Sequence, residues 1–265
     1  MKNAFRRTRI AATLALALSA FATHAAPAQP VKNIVLVHGF FADGSGWKPV
    51  ADILTRDGYN VAIVQQPETS LADDVKATLG VLHMQQGPSI LVGHSYGGAV
   101  ITQAGNDPQV KGLVYIAAYQ PDAGESLATL TEKNPGATKA IKKTADDFLY
   151  IEPAQLRADF AADVPASVTR FMAASQVMPS VHAFTDPVSQ AAWKDKPSWA
   201  LVAKSDRTVN PDLERFMAKR AGSTTIEVDS SHVAFLSHPA EVAKLIEEAA
   251  THAAYATQPL KVKAQ

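Results

Sequence analysis

The sequence predicts an α/β fold built on a mostly parallel, doubly wound sheet, and three observations carry that expectation. Short β-branched apolar runs alternate with helix-like stretches along the 265-residue chain. The runs are continuously apolar, as suits strands buried on both faces, where a half-exposed strand would alternate. With 47% apolar and 19% charged residues, the chain has material for one large core. Strand and helix in alternation place helices on both sides of one sheet.

The first apolar run, Val31 to Val37, stops at His38-Gly39, and a helix-like stretch follows over Trp47 to Arg56. Tyr59 to Val64 is the second strand. Leu71 to Met84 is the next helix, because Ser70 stands where a side-chain oxygen caps free N–H groups. Ser89 to Gly93 leads through a glycine-rich turn into Tyr96 to Ala104, and Leu113 to Ala118 is the fourth strand. After a long interval come the strand Trp199 to Ala203 and the helix Pro211 to Arg220, where proline fits the first helical position. Thr224 to Val228 is a last strand, and His238 to Tyr255 a last helix.

The interval from about 121 to 197 breaks the alternation. It carries five internal prolines, Pro135, Pro153, Pro165, Pro179 and Pro187, and helical patches over Gln155 to Ala161 and Val168 to Gln176, with no strand pattern. So long a connection inside one domain predicts a helical cap over the strand ends, inserted between the strands carrying Tyr115 and Leu201. Its Phe148, Phe171, Met172 and Phe184, together with Phe41 from the first loop, are the expected lining of an apolar pocket.

At the N-terminus, Lys2, Arg6, Arg7 and Arg9 precede an uncharged apolar run from Ile10 to Phe21. That run has the length of a signal-peptide core and falls short of the roughly 20 residues that span a bilayer. The expected organisation is a cleaved leader over residues 1–25, one domain over 26–256 and a flexible polar tail over 257–265. Export to the periplasm or beyond, without a stable membrane anchor, is the expectation from the leader. Removing its four bases leaves 21 Lys plus Arg against 25 Asp plus Glu, a formal charge of −4. No basic excess exists to drive nucleic-acid binding. The absence of cysteine excludes disulfides, a thiolate zinc site and a cysteine nucleophile.

Gly93-His94-Ser95-Tyr96-Gly97-Gly98 sits between a predicted strand and a predicted helix. A serine held on so sharp a turn has close neighbours two residues away on either side, and glycine at both places leaves the space a Cβ would fill. Serine needs a base to become a nucleophile, and the base needs an anion to orient it. His232, in the loop after the last strand, is the candidate base. Asp206, after the strand Trp199 to Ala203, is the candidate acid, with Asp122 and Asp229 as rivals. An attacked carbonyl becomes an oxyanion that two backbone N–H groups must meet: that of Tyr96, after the nucleophile, and that of Phe40, in the loop opened by Gly39. His38 is expected to organise this loop.

With these residues in place the chain resembles the serine α/β-hydrolases over Val31 to Ala249, and within them the methylesterase and hydroxynitrile lyase-like branch. The resemblance rests on Val37-His38-Gly39 with Gly44 to Trp47 downstream, the Gly93 to Gly98 segment, Tyr119-Gln120-Pro121-Asp122, and Ser231-His232 followed by Ser237-His238-Pro239. It implies a triad of Ser95, Asp206 and His232, oxyanion amides from Phe40 and Tyr96, a small-molecule ester as substrate, and neither metal nor organic cofactor. The lyases of that branch carry a threonine where Gly39 stands and a lysine where Val233 stands, and both departures favour hydrolysis. The competing readings are a cofactor-free perhydrolase or oxidoreductase on the same triad, a C–C lyase, and a noncatalytic binding protein.

Overall fold

The computed structural model describes residues 29–256. The expected leader and the expected flexible tail, residues 1–25 and 257–265, lie outside the described residues. Six parallel strands form the central sheet: β1 Asn33–Val37, β2 Asn60–Val64, β3 Ser89–His94, β4 Val110–Ile116, β7 Ser198–Ala203 and β8 Thr224–Val228, in the order β2-β1-β3-β4-β7-β8. The chain winds outward from β1 to β2, then crosses back to β3 and continues the other way. A doubly wound sheet has its crevice where the winding reverses, outside the carboxyl ends of the two central strands. Here those ends are Val37 of β1 and Gly93 of β3, which stand opposite one another in register.

The helices are α1 Lys48–Arg56, α2 Leu71–His83, α3 Gly97–Ala104, α8 Pro211–Ala221, α9 Ala234–Ser237 and α10 Pro239–Ala256, with α4 Leu127–Lys133, α5 Pro153–Phe160, α6 Ala166–Ala174 and α7 Val181–Thr185 in the insertion. Helix α10 runs against β3, β4 and β7 and pairs with α1, while α2 pairs with α3. Local signals set several of these ends. Ser70 caps α2 by accepting from Asp73 N–H at 3.1 Å, and Gly222 closes α8 in the left-handed conformation that glycine adopts without a Cβ clash.

Four expectations need correction. The outer strands β2 and β8 are partly exposed, because they are the sheet edges and only one neighbour covers each. Strand β4 runs from Val110 to Ile116 and stops two residues early, because Ala117 turns into the left-handed region (φ 45°) and redirects the Tyr119 N–H to donate to Ser95 C=O at 3.1 Å. The cap is not purely helical: β5 Ile141–Lys143 and β6 Leu149–Ile151 form an antiparallel hairpin. All of β5 is solvent-exposed, so no apolar run marks it. The last helix starts at Pro239, with the separate turn α9 before it and His238 at the break.

Glycine packing generates a testable contrast. A Cβ on Gly93 would lie 2.5 Å from Gly97 O, a backbone atom with nowhere to go, whereas a Cβ on Gly80, exposed in the middle of α2, would meet nothing within 4 Å. Overpacking costs about 1–3 kcal/mol, and about 1 kcal/mol moves the Tm of a domain this size by roughly 2–4 °C. Gly93→Ala is therefore expected to lower Tm by about 3–10 °C, and Gly80→Ala to raise it by about 1–4 °C through helix propensity, both read by thermal unfolding.

Candidate active site

Ser95 stands at the turn between β3 and α3 with φ 52°, a conformation that costs a non-glycine residue of order 1–3 kcal/mol. The turn is held from both sides. Ser95 N–H donates to Ile116 C=O at 3.3 Å, and Ser95 C=O accepts from Gly98 and Tyr119 N–H at 3.0 and 3.1 Å. Three glycines make the room: a Cβ on Gly39 would lie 2.6 Å from Ser95 Cβ, and one on Gly97 2.6 Å from His38 C=O, besides the Gly93 collision. The β1–α1 loop and the turn at Ser95 thus touch backbone to backbone.

Asp206 follows β7 in a tight turn. Its Oδ1 accepts from Thr208 N–H at 2.7 Å and Val209 N–H at 3.0 Å, and its Oδ2 meets His232 Nδ1 at 2.5 Å. Both side chains are buried. With Nδ1–H donated to the carboxylate, the neutral ring carries its lone pair on Nε2, and this buried atom has no hydrogen-bond partner among the described residues. The His232 ring packs between His94 (centroids 4.6 Å apart) and Phe160 (4.9 Å). His94 Nε2–H donates to His232 C=O at 3.0 Å, which ties the histidine loop to the residue beside Ser95. Burial, and after it the neighbouring His232, push His94 well below the ordinary histidine value, so it acts as a neutral spacer.

The rival acids are elsewhere. Asp122 pairs with Lys194 at 2.5 Å and caps Ala123 N–H, and Asp229 is exposed beside Ser205 and Lys204. The rings of Phe40 and Tyr96 stack at 4.1 Å and 19° across the loop contact. Among the described residues neither of their backbone N–H groups is used by another group of the protein.

Residues 34–245 match the alpha/beta hydrolase family. The chain belongs to that family. Among curated relatives, a carbendazim hydrolyzing esterase of Nocardioides sp. (strain SG-4G) is 33% identical over 115 residues, a match spanning 38% of this chain and 48% of that protein. The pyrethroid hydrolase of Sphingobium wenxiniae is 25% identical over 82% of this chain and 87% of its own. Among solved structures, a methylesterase from Arabidopsis superposes with a TM-score of 0.72 at 17% identity, covering 84% of this chain and all of its own. A pyrethroid hydrolase from Sphingobium faniae JZ-2 gives 0.70 at 22%, covering 82% and 96%. These structural matches establish the α/β-hydrolase fold.

In this hydrolase the pocket differs in part from the expected lining. Ser95 opens on a largely apolar cavity of about 380 Å³ whose walls include Phe40, Phe41, Tyr119, Leu127, Leu149 and Phe184. Phe41 and Phe184 are among the lining residues. Phe171 and Met172 are not: α6 turns them toward the loop after Phe41, where they line a separate cleft of about 150 Å³. Phe148 lies outside the cavity, paired with Ser180 in an isolated bridge. Helix α4 and the unforeseen hairpin take their places.

Three acidic partners carry no sequence signal, because nothing local distinguishes them from surface acids. Glu214 of α8 is buried, and its Oε2 accepts from Ala203 N–H at 3.2 Å at the end of β7. Burial first, then the nearby Asp206 charge, push it well above the usual carboxylate range. Asp163, in the cap, accepts from both Ser231 N–H and Ser231 Oγ–H. Although burial acts to raise it, those bonds hold its carboxyl below the usual range. Asp74 of α2 accepts Tyr96 O–H at 2.5 Å. Removing a hydrogen bond to a buried charged group costs about 1.5–3 kcal/mol, so Tyr96→Phe is expected to lower Tm by roughly 3–12 °C in a calorimetric scan while the Phe40 stacking surface is retained.

Proposed function

We propose that this chain is a carboxylic ester hydrolase in which Ser95 is the nucleophile, His232 the general base and Asp206 its orienting acid. One observation carries the reading: a buried Asp206–His232 pair leaves an unpartnered Nε2 in a site that also presents a strained serine at a strand-to-helix turn. His232 Nε2 takes the Ser95 Oγ proton as Oγ attacks the ester carbonyl. The carbonyl oxygen becomes an anion facing the Phe40 and Tyr96 N–H groups, at the start of α3 where amides favour negative charge. Collapse breaks the bond to the alcohol oxygen, which takes the proton from His232, and an acyl group remains on Ser95. Water, deprotonated by the same nitrogen, releases the acid and restores Ser95.

Support for esters over other carbonyl chemistry comes from the esterase-named relatives and from Gly39 and Val233. A threonine at position 39 would collide with Ser95 Cβ, and Val233 is fully buried with no charge to hold a cyanide leaving group. The expected substrate is a small neutral ester, since the cavity is largely apolar and the cation in its lining, Lys143, is already paired with Asp147 at 2.5 Å. The leader motif supports an exported enzyme.

A panel of nitrophenyl and methyl esters run beside Ser95→Ala tests the class and the nucleophile together. Ser95→Ala and His232→Ala are each expected to lower kcat by at least about 10³-fold, and the double variant to lose little more, because groups that act as one unit are not additive. Additive losses would exclude the assignment. Asp206→Asn should cost orders of magnitude by favouring the wrong imidazole tautomer while Asp122→Asn stays near wild type, and the reverse pattern in steady-state kinetics would move the acid to Asp122. A neutral butyrate ester should exceed the matching succinate half-ester in kcat/KM by at least about tenfold, because a buried carboxylate without a free partner is costly. Equal turnover would mean that Lys143 exchanges Asp147 for substrate.

A further inference from the structure

Behind the loop that carries Phe40 lies a buried polar cluster to which the acyl-transfer steps assign no part. Glu68, four residues after β2, is completely buried, and its backbone lies in the left-handed region at φ 55°. A non-glycine residue persists there only when its surroundings over-determine it. Its N–H donates to Asp74 Oδ1 at 2.8 Å, its C=O accepts from Ser180 N–H at 2.8 Å, and its carboxyl stands 3.4 Å from His38 Nδ1. Asp74 Oδ2 accepts the Tyr96 hydroxyl, and Ser180 caps α7, whose Val181 and Phe184 line the Ser95 cavity. One residue therefore meets the β1–α1 loop and the cap directly and reaches the nucleophile turn through Asp74.

The partners dictate the proton arrangement. Gln66 N–H donates to His38 Nε2 at 3.1 Å, so the neutral ring carries its hydrogen on Nδ1, aimed at Glu68 and at Gly39 C=O, 3.1 Å away. Among the described residues no group donates a hydrogen bond to either Glu68 oxygen. The His38 Nδ1–H, 3.4 Å away, is the donor this buried carboxyl faces, alongside the Gly39 carbonyl. Burial pushes Glu68 up to about 7 against the pull of His38, and His38 stands above its ordinary value because Glu68 outweighs the opposing effect of its own burial. The other charged and titratable groups facing the pair are Asp74, Asp43, Tyr96 and His94.

We propose that Glu68 is a positioning residue for the oxyanion loop, fixing the Gly39-Phe40 backbone through His38 and locking that loop to the cap through Ser180. This rests on the ester-hydrolase reading, because the role lies in where the Phe40 N–H points. The physical basis is the chain His38-Gly39-Phe40: with the imidazole held at both nitrogens and at the Gly39 carbonyl, the next peptide has little freedom to turn its N–H away from the Ser95 side.

The test compares wild type with Glu68→Gln, which keeps the shape, and Glu68→Ala, which does not. Three quantities are read: kcat and KM for the best ester of the panel, affinity for a trifluoromethyl ketone that forms an oxyanion adduct with Ser95, and the His38 titration followed by NMR. Loss of one oxyanion donor costs about 10²–10³ in kcat, so partial misplacement in Glu68→Gln is expected to lower kcat and ketone affinity together by about tenfold or more. KM should stay within about twofold, and the His38 midpoint should fall. Glu68→Ala should lose more on the same two measures. Activity and ketone affinity within about twofold of wild type in Glu68→Gln, or an unmoved His38 titration, would overturn the role. A wild-type protein that hydrolyses no ester of the panel would instead overturn the ester-hydrolase reading, and the role of Glu68 with it, and this result is distinct from active wild type with silent variants.

Discussion

The contact on which the rest of this structure depends is the backbone approach of the β1–α1 loop to the turn after β3. Gly39, Gly93 and Gly97 each stand where a Cβ would fall within 2.6 Å of a neighbouring atom. Close-packed interiors do not give way to an extra methyl group without strain, so the glycines set how near the two segments come. That approach leaves Ser95 in a left-handed conformation, held by three backbone hydrogen bonds, with its side chain at the floor of the cavity. It also stacks Phe40 on Tyr96 and leaves their two N–H groups unused on adjoining segments. The sheet contributes direction: parallel strands with a reversal of winding between β1 and β3 open their crevice at this point.

Around that contact the protein buries more ionisable groups than a stability argument would favour. Glu68, Asp74, Asp206, Glu214, His38, His94 and His232 are all within the interior. Desolvation disfavours every charge in this set, and specific devices meet it. Asp206 accepts two N–H groups and the imidazole, burial holds His94 well below the ordinary histidine value and Glu214 well above the usual carboxylate range, and Glu68 faces His38 at 3.4 Å. Such a cluster specifies positions at a cost in stability, and it lies beneath the β1–α1 loop and the turn at Ser95, which line the cavity.

The cap shares in this arrangement. Ser180 joins it to Glu68, Asp163 joins it to the loop of His232, and Trp193 Nε1–H donates to Pro121 C=O at 2.8 Å where the insertion begins. Further polar ties, among them Arg207 to Asp159, Arg220 to Glu125 and Asn210 to Asn134, join the insertion to the β7–α8 side of the domain. The hairpin β5–β6 and helix α4 form much of the cavity walls. Neither element bears an apolar pattern strong enough to be found without its neighbours.

The sequence by itself determined the alternating α/β architecture and five of the six sheet strands to within two residues at either end, and it singled out Ser95, Asp206 and His232 as candidates. The reason is local: continuous apolar runs report burial in a parallel sheet, and Gly-x-Ser-x-Gly reports a steric requirement that acts over five residues. Ser95, Asp206 and His232 were legible because each comes just after a strand, and parallel strands deliver the loops at their carboxyl ends to one edge. Only the tertiary structure decided which aromatic side chains line the cavity with Ser95, why Asp206 and not Asp122 meets His232, and which acids lie buried behind the β1–α1 loop. Phe171 and Met172 show why, since the same apolar helix face fits a cavity or a neighbouring cleft until α6 is oriented. Glu68 shows it further. It sits among loop residues that look like any solvated turn, and its role arises from partners 6, 30 and 112 residues away in sequence, Asp74, His38 and Ser180, which only folding brings together.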